Sequence, residues 1–99
     1  MDEPPKSWTF LTNHARVLIS IAMNPGIRTR DIAARIGITE RSTQRIIAEL
    51  EQAGYISHEK VGRRNRYDLQ PDAHFRHPLE RNVEVRHLID LLITSSQED

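Results

Sequence analysis

Apolar residues recur every three or four positions in three consecutive stretches of the chain, which is the spacing of one-sided helices. The first stretch, FLTNHARVLISIAMNPG, offers Thr12 or Asn13 as an N-cap and ends at a proline and a glycine. The second, TRDIAARIG, and the third, ERSTQRIIAELEQAG, each end at a glycine, which readily adopts a left-handed conformation. The pattern predicts three helices, with Thr29 capping the second and Thr39 the third.

The period changes from helical to alternating after Gly54. The segments YISHEKV and RYDLQ are rich in strand-forming residues, and Tyr67 and Leu69 fall on one face of the second segment. Between them lies Gly62-Arg63-Arg64-Asn65, where we expect a turn in which Asn65 could take a positive φ. These features predict a β-hairpin.

A last amphipathic segment is expected to be helical over residues 78–95, with Pro78 in its first turn. Its apolar residues cover more than one narrow stripe, which is more than a terminal helix on a small domain needs. We expect this helix to pair with a second copy of the chain, together with Trp8 and Phe10; the alternative is that it folds back onto its own core. The expected interface residues are Leu79, Val83, Leu88, Ile89 and Leu92.

These elements divide the 99 residues into a leader, one small domain and an extension for assembly. We expect the leader at residues 1–9, the domain at 10–71, a connecting loop at 72–77 and the dimerisation helix at 78–95. The expected fold class is mainly α with one small β-hairpin.

The formal net charge is zero, but the charges are unevenly distributed along the chain. Residues 28–66 hold nine basic and five acidic side chains, a net charge of +4, whereas the remainder carries −4. Eight of the nine basic residues are arginines, whose planar fork suits phosphates and guanine edges. The chain has no cysteine, which excludes disulfides and thiolate metal sites. It has neither a signal-peptide pattern nor an apolar run of membrane-spanning length, and we expect a cytoplasmic protein.

Only Ile38 and Thr39 separate the second predicted helix from the third, as in a helix-turn-helix motif. The buried face of the third helix is expected to consist of Thr43, Ile46, Ile47, Leu50 and Ala53. Its outward face could then enter the major groove of duplex DNA, where arginine pairs with guanine and glutamine with adenine. The expected reading residues are Thr39, Arg41, Ser42, Gln44 and Arg45, with Thr39 and the helix start suited to a phosphate.

The basic hairpin turn follows directly after this helix, in the position of the wing of a winged helix. There we expect contacts to phosphates or to a narrow minor groove. The residues that would make them are Arg63, Arg64, Asn65 and Arg66. An ordinary solvated surface is the alternative for both the helix face and the turn.

The block TRDIAARIGITERSTQRIIAELEQAGYISHEKVGRRNRYDL resembles the winged helix-turn-helix domains of prokaryotic transcriptional regulators of the MarR and ArsR type. The resemblance covers about residues 12–70 and implies a three-helix DNA-binding core with a hairpin wing, so the expected fold is a winged helix-turn-helix to which the apolar pattern adds a C-terminal helix. It also implies that Thr39, Arg41, Ser42, Gln44 and Arg45 read DNA and that Arg63 to Arg66 lie on the wing. A typical MarR protein is longer and has an effector pocket, so the resemblance leaves the effector open.

The remaining features point away from catalysis and from bound groups. His74, His77 and His87 have acidic neighbours, but no fourth ligand of a zinc site is evident; capping or packing is the favoured role, and we expect no metal and no cofactor. There is no nucleophile motif and no phosphate-cradling glycine loop, so we expect no enzymatic activity. The expected function is sequence-specific binding of double-stranded DNA by a homodimeric regulator. The alternatives are a protein-interaction module and an RNA or non-specific nucleic-acid binder.

Overall fold

Three helices, a hairpin and a further helix follow one another in the order that the sequence predicts. The computed structural model describes residues 8–70 and 72–97, which contain α1 (Asn13–Met23), α2 (Thr29–Ile36), α3 (Glu40–Gln52), β1 (Ile56–Val61), β2 (Arg64–Leu69) and α4 (Val85–Gln97). This mainly helical fold with an antiparallel hairpin confirms the expected winged-helix class. Among these residues, no helix has the combination of length and apolarity that crossing a membrane requires.

Threonine caps and a left-handed glycine set the boundaries of α1, α2 and α3. The Oγ1 of Thr12 accepts the N–H of Ala15 at the start of α1, and the Oγ1 of Thr39 accepts the N–H of Ser42 at the start of α3. Gly37 ends α2 with a φ of 88°, a conformation that costs glycine little. Ile38 and Thr39 then lead directly into α3, and α2 and α3 pack against each other.

The start of α2 differs from the expectation by one residue. Thr29 is the first helical residue, and the N-cap is Arg28, whose side chain makes no capping hydrogen bond. Arg28 has the extended backbone of a cap, and its carbonyl oxygen accepts the N–H groups of Asp31 and Ile32. The backbone therefore forms the first turn without a side-chain cap from Thr29.

The core lies where α1, α2 and α3 meet, and the hairpin and α4 pack against it. Its most deeply buried side chains are Val17, Ile21, Ile32 and Thr43. Thr43 is polar, but its hydroxyl donates to the carbonyl oxygen of Thr39, one turn earlier, at 2.9 Å. That bond satisfies the hydroxyl and so removes most of the cost of burying it.

The expected buried face of α3 is confirmed at Thr43, Ile46, Ile47 and Leu50. Ala53 was expected to extend this face, but it is exposed. The reason is that α3 ends at Gln52, and the chain turns away at Gly54 with a φ of 86°.

β1 and β2 pair in register from Ile56↔Leu69 to Val61↔Arg64, which leaves Gly62 and Arg63 as a two-residue turn. Gly62 has a φ of 65°, and no described residue other than glycine has a positive φ, so the turn has the sign pattern of type II′. Asn65 is therefore a strand residue, which corrects its expected place in the turn. The shared inward face of β2 is confirmed, since Tyr67 is buried and Leu69 is partly buried.

The terminal helix begins later than expected, at Val85 rather than at residue 78. Residues 78–84 form turns, because their flanks are joined by backbone bonds. Phe75 donates to the carbonyl oxygen of Val83, and Val85 donates to that of Ala73, beside an isolated bridge between His74 and Glu84. Pro78 suits the first turn of a helix, but these antiparallel bonds hold the segment as a reversed loop instead.

α4 packs one of its faces against α1. Val85 and Ile89 are buried, and Leu88 and Ile93 are partly buried. Ile89 is only 4% exposed and belongs to the core of its own chain, which corrects its expected place at a dimer interface. The expected alternative, folding back onto the domain, therefore describes this face of the helix.

Candidate nucleic-acid interface

The outward face of α3 carries three of the side chains expected to read DNA. Arg41, Gln44 and Arg45 are all exposed, and they belong to the first two turns of the helix. The opposite face of α3 contacts α1 and α2, and its end contacts β1. Because the core holds the helix from behind, its backbone is fixed, and these three exposed side chains share one polar face.

The two other expected reading residues, Thr39 and Ser42, are engaged in the cap of α3. The Oγ1 of Thr39 accepts the N–H of Ser42 and donates its hydroxyl to the Oγ of Ser42, both at 3.0 Å. Ser42 is partly buried, whereas Glu40 and Arg41 are exposed at the same end of the helix. The hydroxyl pair thus holds the first turn in shape, and that turn lies at the positive end of the helix dipole, where an anion is stabilised.

Two histidine–glutamate pairs tie the second half of α3 to its neighbours. The Nε2 of His14 on α1 lies 2.6 Å from the Oε1 of Glu49, and His58 on β1 pairs with Glu51. The Oε2 of Glu49 also lies 3.6 Å from a guanidinium nitrogen of Arg45. The hydrogen bond from His14 is the main cause that lowers the pKa of Glu49 from its ordinary value of 4.5, and the charge of Arg45 adds to it.

The hairpin places its polar residues in two different settings. Arg63 at the turn and Arg66 on β2 are exposed. Arg64 donates from its Nη2 to the carbonyl oxygen of Gly26, in the turn between α1 and α2, at 2.6 Å. Asn65 is partly buried, and its Oδ1 is enclosed with no hydrogen-bond partner among the described residues. Arg63, Arg64 and Arg66 are therefore all exposed at the end of the wing, but Arg64 is also bonded to the α1–α2 turn, and Asn65 is partly buried.

Two basic residues outside the expected set lie beside the wing. Arg28 and Lys60 line the same cleft as Arg63 and Arg64, next to the start of α2. This proximity depends on the docking of β2 against the α1–α2 turn, where the N–H of Tyr67 donates to the carbonyl oxygen of Pro25. Sequence reasoning missed these two residues because the local pattern does not show that docking. The positive balance of residues 28–66 was the one signal that included them.

The three histidines after the hairpin stabilise separate turns and do not converge on one point. The Nδ1 of His74 lies 2.8 Å from the carbonyl oxygen of Arg81, and the Nδ1 of His77 accepts the N–H of Leu79. His87 lies beside Glu84 at 3.8 Å. Within residues 8–70 and 72–97, no group of three or more side chains is arranged to hold a metal ion.

Several apolar side chains outside the core are exposed. Leu79 and Val83, expected on the terminal helix, lie in the loop before it, and both are exposed. On α4, Leu91 is 63% exposed, although it was not among the expected interface residues, and Leu92 is partly buried. Trp8 and Phe10 pack edge to face with ring centroids 5.5 Å apart, and both remain largely exposed.

Comparisons with known proteins match the region that contains the basic surface. The profile of the MarR family matches residues 9–65, which span α1, α2, α3, β1 and the start of β2. The uncharacterized protein MJ1254 of Methanocaldococcus jannaschii is 33% identical over 67 residues, which are 67% of this chain and 14% of that protein. This chain therefore corresponds to a small part of the length of that relative. The comparisons give no support to the ArsR part of the expected resemblance.

Proposed function

This chain belongs to the MarR family of winged-helix transcriptional regulators, and we propose that it binds specific sequences in duplex DNA as a homodimer. The observation that carries the proposal is the exposed face of Arg41, Gln44 and Arg45 on a helix whose other face is fixed in the core. A helix held in this way fits the major groove, which is about 12 Å wide. As a prokaryotic transcriptional regulator, the protein would meet its DNA in the cytoplasm.

The outer residues of α3 suit direct reading of base edges. Arginine forks onto the O6 and N7 of guanine and glutamine onto the N6 and N7 of adenine, so Arg41, Gln44 and Arg45 would select a short run of bases. Thr39 and Ser42 support this surface through the cap, and the helix start would meet a phosphate. Glu49 lies beside Arg45 and favours one orientation of its guanidinium.

The wing would contact DNA beside the bases that α3 reads. Arg63 and Arg66 are exposed and would meet phosphates or a narrow minor groove at the flank of the site. The net charge of +4 over residues 28–66 would attract the DNA backbone. The acidic residues that balance this charge lie outside this segment of the chain.

The apolar surface favours a second copy of the chain as the partner. Leu91 on α4 has an exposed apolar side chain, and Leu79 and Val83 add further exposed apolar surface in the loop before the helix. Leu88 and Leu92 are partly buried and would complete such an interface. A two-fold dimer would present two α3 helices roughly 34 Å apart, which predicts a palindromic binding site.

Selection from a random pool of duplex DNA tests the specificity and the dimer together. We expect the bound fraction to become enriched in a palindrome with half-sites about one helical turn apart. Enrichment of a single half-site would contradict the dimer and leave specific binding intact. No binding at low salt would contradict the DNA-binding proposal and favour a protein-interaction module.

Titration with the selected duplex locates the reading surface. Arg41→Ala should weaken binding to the selected site by about 1–3 kcal/mol and binding to random DNA by less, because it removes a base contact. Arg81→Ala is the matched control, since Arg81 is exposed in the loop before α4, outside the proposed surface. Equal losses on both duplexes, or equal affinity of the unaltered protein for duplex and RNA, would indicate a non-specific nucleic-acid binder.

A further inference from the structure

Two contacts attach β2 to the turn between α1 and α2, and they lie at different distances from the wing tip. The first joins the N–H of Tyr67 to the carbonyl oxygen of Pro25 at 2.9 Å, where the Tyr67 side chain is already buried in the core. The second joins the Nη2 of Arg64 to the carbonyl oxygen of the next residue, Gly26, at 2.6 Å. The base and the outer part of the wing are thus bound to neighbouring carbonyl groups of the same turn.

The outer part of the hairpin has little other support. Arg64 is three positions beyond Tyr67, or roughly 10 Å along an extended strand. The pairs Val61↔Arg64 and Lys60↔Asn65 and the turn residues Gly62 and Arg63 lie in this outer part. A two-stranded ribbon is only marginally stable by itself, so this end of the wing would swing if the Arg64 contact were absent.

The partner of Arg64 is itself a fixed part of the helix-turn-helix. Only Ile27 and Arg28 separate Gly26 from the start of α2. In the same turn, the N–H of Ile27 donates to the carbonyl oxygen of Asn24. Ile27 is buried, which anchors this turn in the core. Because Arg64 is bonded to Gly26, the wing is attached to the turn that leads directly into α2.

We propose that Arg64 is a positioning residue, which fixes the angle of the wing against the start of α2, and that it is not a DNA contact. The effect on DNA rests on the proposed function, whereas the contact within the free protein does not. Arg63, the adjacent residue, has the same charge and takes part in none of the side-chain hydrogen bonds found among the described residues. Both arginines are exposed, but only Arg64 has a guanidinium N–H bonded to the α1–α2 turn, so we assign the two neighbours different roles.

Hydrogen exchange in the free protein tests the contact without DNA. Arg64→Gln should speed exchange of the Tyr67 amide by roughly three- to tenfold, because the amide would lose the neighbouring bond that helps hold β2 on the same turn. Arg63→Gln removes the same charge one residue away and should leave that amide unchanged. Equal exchange rates in the two variants would overturn the positioning role.

The salt dependence of DNA binding separates positioning from direct contact. A lost phosphate contact lowers the slope of log affinity against log salt by about one, which we expect for Arg63→Gln. For Arg64→Gln we expect affinity to fall by roughly three- to tenfold, because the freed wing would have to become ordered when DNA binds. The slope should stay unchanged, because no phosphate contact is lost. A slope that falls as far as that of Arg63→Gln would show that Arg64 binds a phosphate. If no duplex binds the unaltered protein, the proposed function fails, but the exchange result still decides whether Arg64 holds the wing.

Discussion

The helices α3 and α4 are both thirteen residues long, but they are held by the rest of the protein in different ways. α3 is packed against α1, α2 and β1, whereas α4 is packed against α1 alone among the described helices and strands. α3 buries Thr43, Ile46, Ile47 and Leu50 and turns polar side chains outward. α4 buries Val85 and Ile89 and leaves Leu91 exposed.

This difference bears on the kind of partner that we propose for each free face. A polar face such as that of α3 is stable in water and needs no covering, so it can be reserved for a ligand that comes and goes. An exposed leucine on α4 loses about 25 cal/mol of stabilisation for each Å² of apolar surface left in water. The free face of α4 therefore gains from a permanent partner, and that of α3 from a transient, charged one.

The largest expected effect is on the free energy of unfolding. It comes from comparing a substitution on the buried face of α3 with one on the exposed face of α4. Ile46→Ala should lower the free energy of unfolding by about 2–5 kcal/mol, because Ile46 is buried and a cavity would remain. Leu91→Ala should change it by less than about 0.5 kcal/mol in a dilute, monomeric sample. Urea unfolding followed by circular dichroism measures both variants. Similar losses for the two in such a sample would mean that Leu91 is buried within the single chain, which would contradict a free outer face of α4.

A charge on the outer face of α4 should weaken self-association. Leu91→Glu should raise the dissociation constant of the proposed dimer by about tenfold or more, because a carboxylate would be buried at the interface without a partner. Leu91→Met keeps the face apolar and serves as the control. Sedimentation equilibrium gives the constants, and an unaltered dimer in Leu91→Glu would exclude this face from the interface.

The cap of α3 should have a smaller effect than its core face. Thr39→Ala should lower the free energy of unfolding by about 1 kcal/mol, because the N–H of Ser42 loses its acceptor. Thr39→Ser retains the hydroxyl and should restore most of the loss. Thermal or urea unfolding measures the series, and a Thr39→Ser variant as unstable as Thr39→Ala would assign the effect to the methyl group.

The smallest expected effect concerns the hydrogen bond between His14 on α1 and Glu49 on α3. The hydrogen bond from His14 lowers the pKa of Glu49 from its ordinary value of 4.5, so the ionised carboxylate stabilises the folded state. This contribution is complete above pH 4.5 and is lost as the pH falls through the lower folded pKa. The stability difference between the unaltered protein and Glu49→Gln should therefore be constant near neutrality and shrink in acid. A difference that grows in acid would contradict the assigned direction of the shift.

Features that depend on a few consecutive residues were predicted well from the sequence. The cap at Thr39, the left-handed Gly37 and the buried face of α3 each arise within about one helical turn, so local sequence contains their causes. The turn at Gly62 is similar, although its length was overestimated and Asn65 was wrongly included. The MarR part of the family resemblance is confirmed over residues 9–65.

Features that depend on distant residues were not predicted. The start of α4 was placed too early because the bonds that join Ala73 and Phe75 to Val83 and Val85 have no local signature. The side chain of Arg64 was expected at a wing tip, and the carbonyl oxygen that binds it belongs to Gly26, far away in the sequence. The roles of the reading and interface residues stay predictions.

The sequence by itself determined which segments form helices and strands, which face of α3 is apolar, and that positive charge gathers in the middle of the chain. Each of these depends on propensity, periodicity or composition, and so is present before the chain folds. Only the tertiary structure decided that Arg64 is bonded to Gly26 while Arg63 is not bonded to the α1–α2 turn, and that Ile89 lies in the core while Leu91 does not. The physical reason is that Arg63 and Arg64 have the same charge and that Ile89 and Leu91 are both apolar. The members of each pair therefore differ only in which distant residues lie next to them in the folded protein.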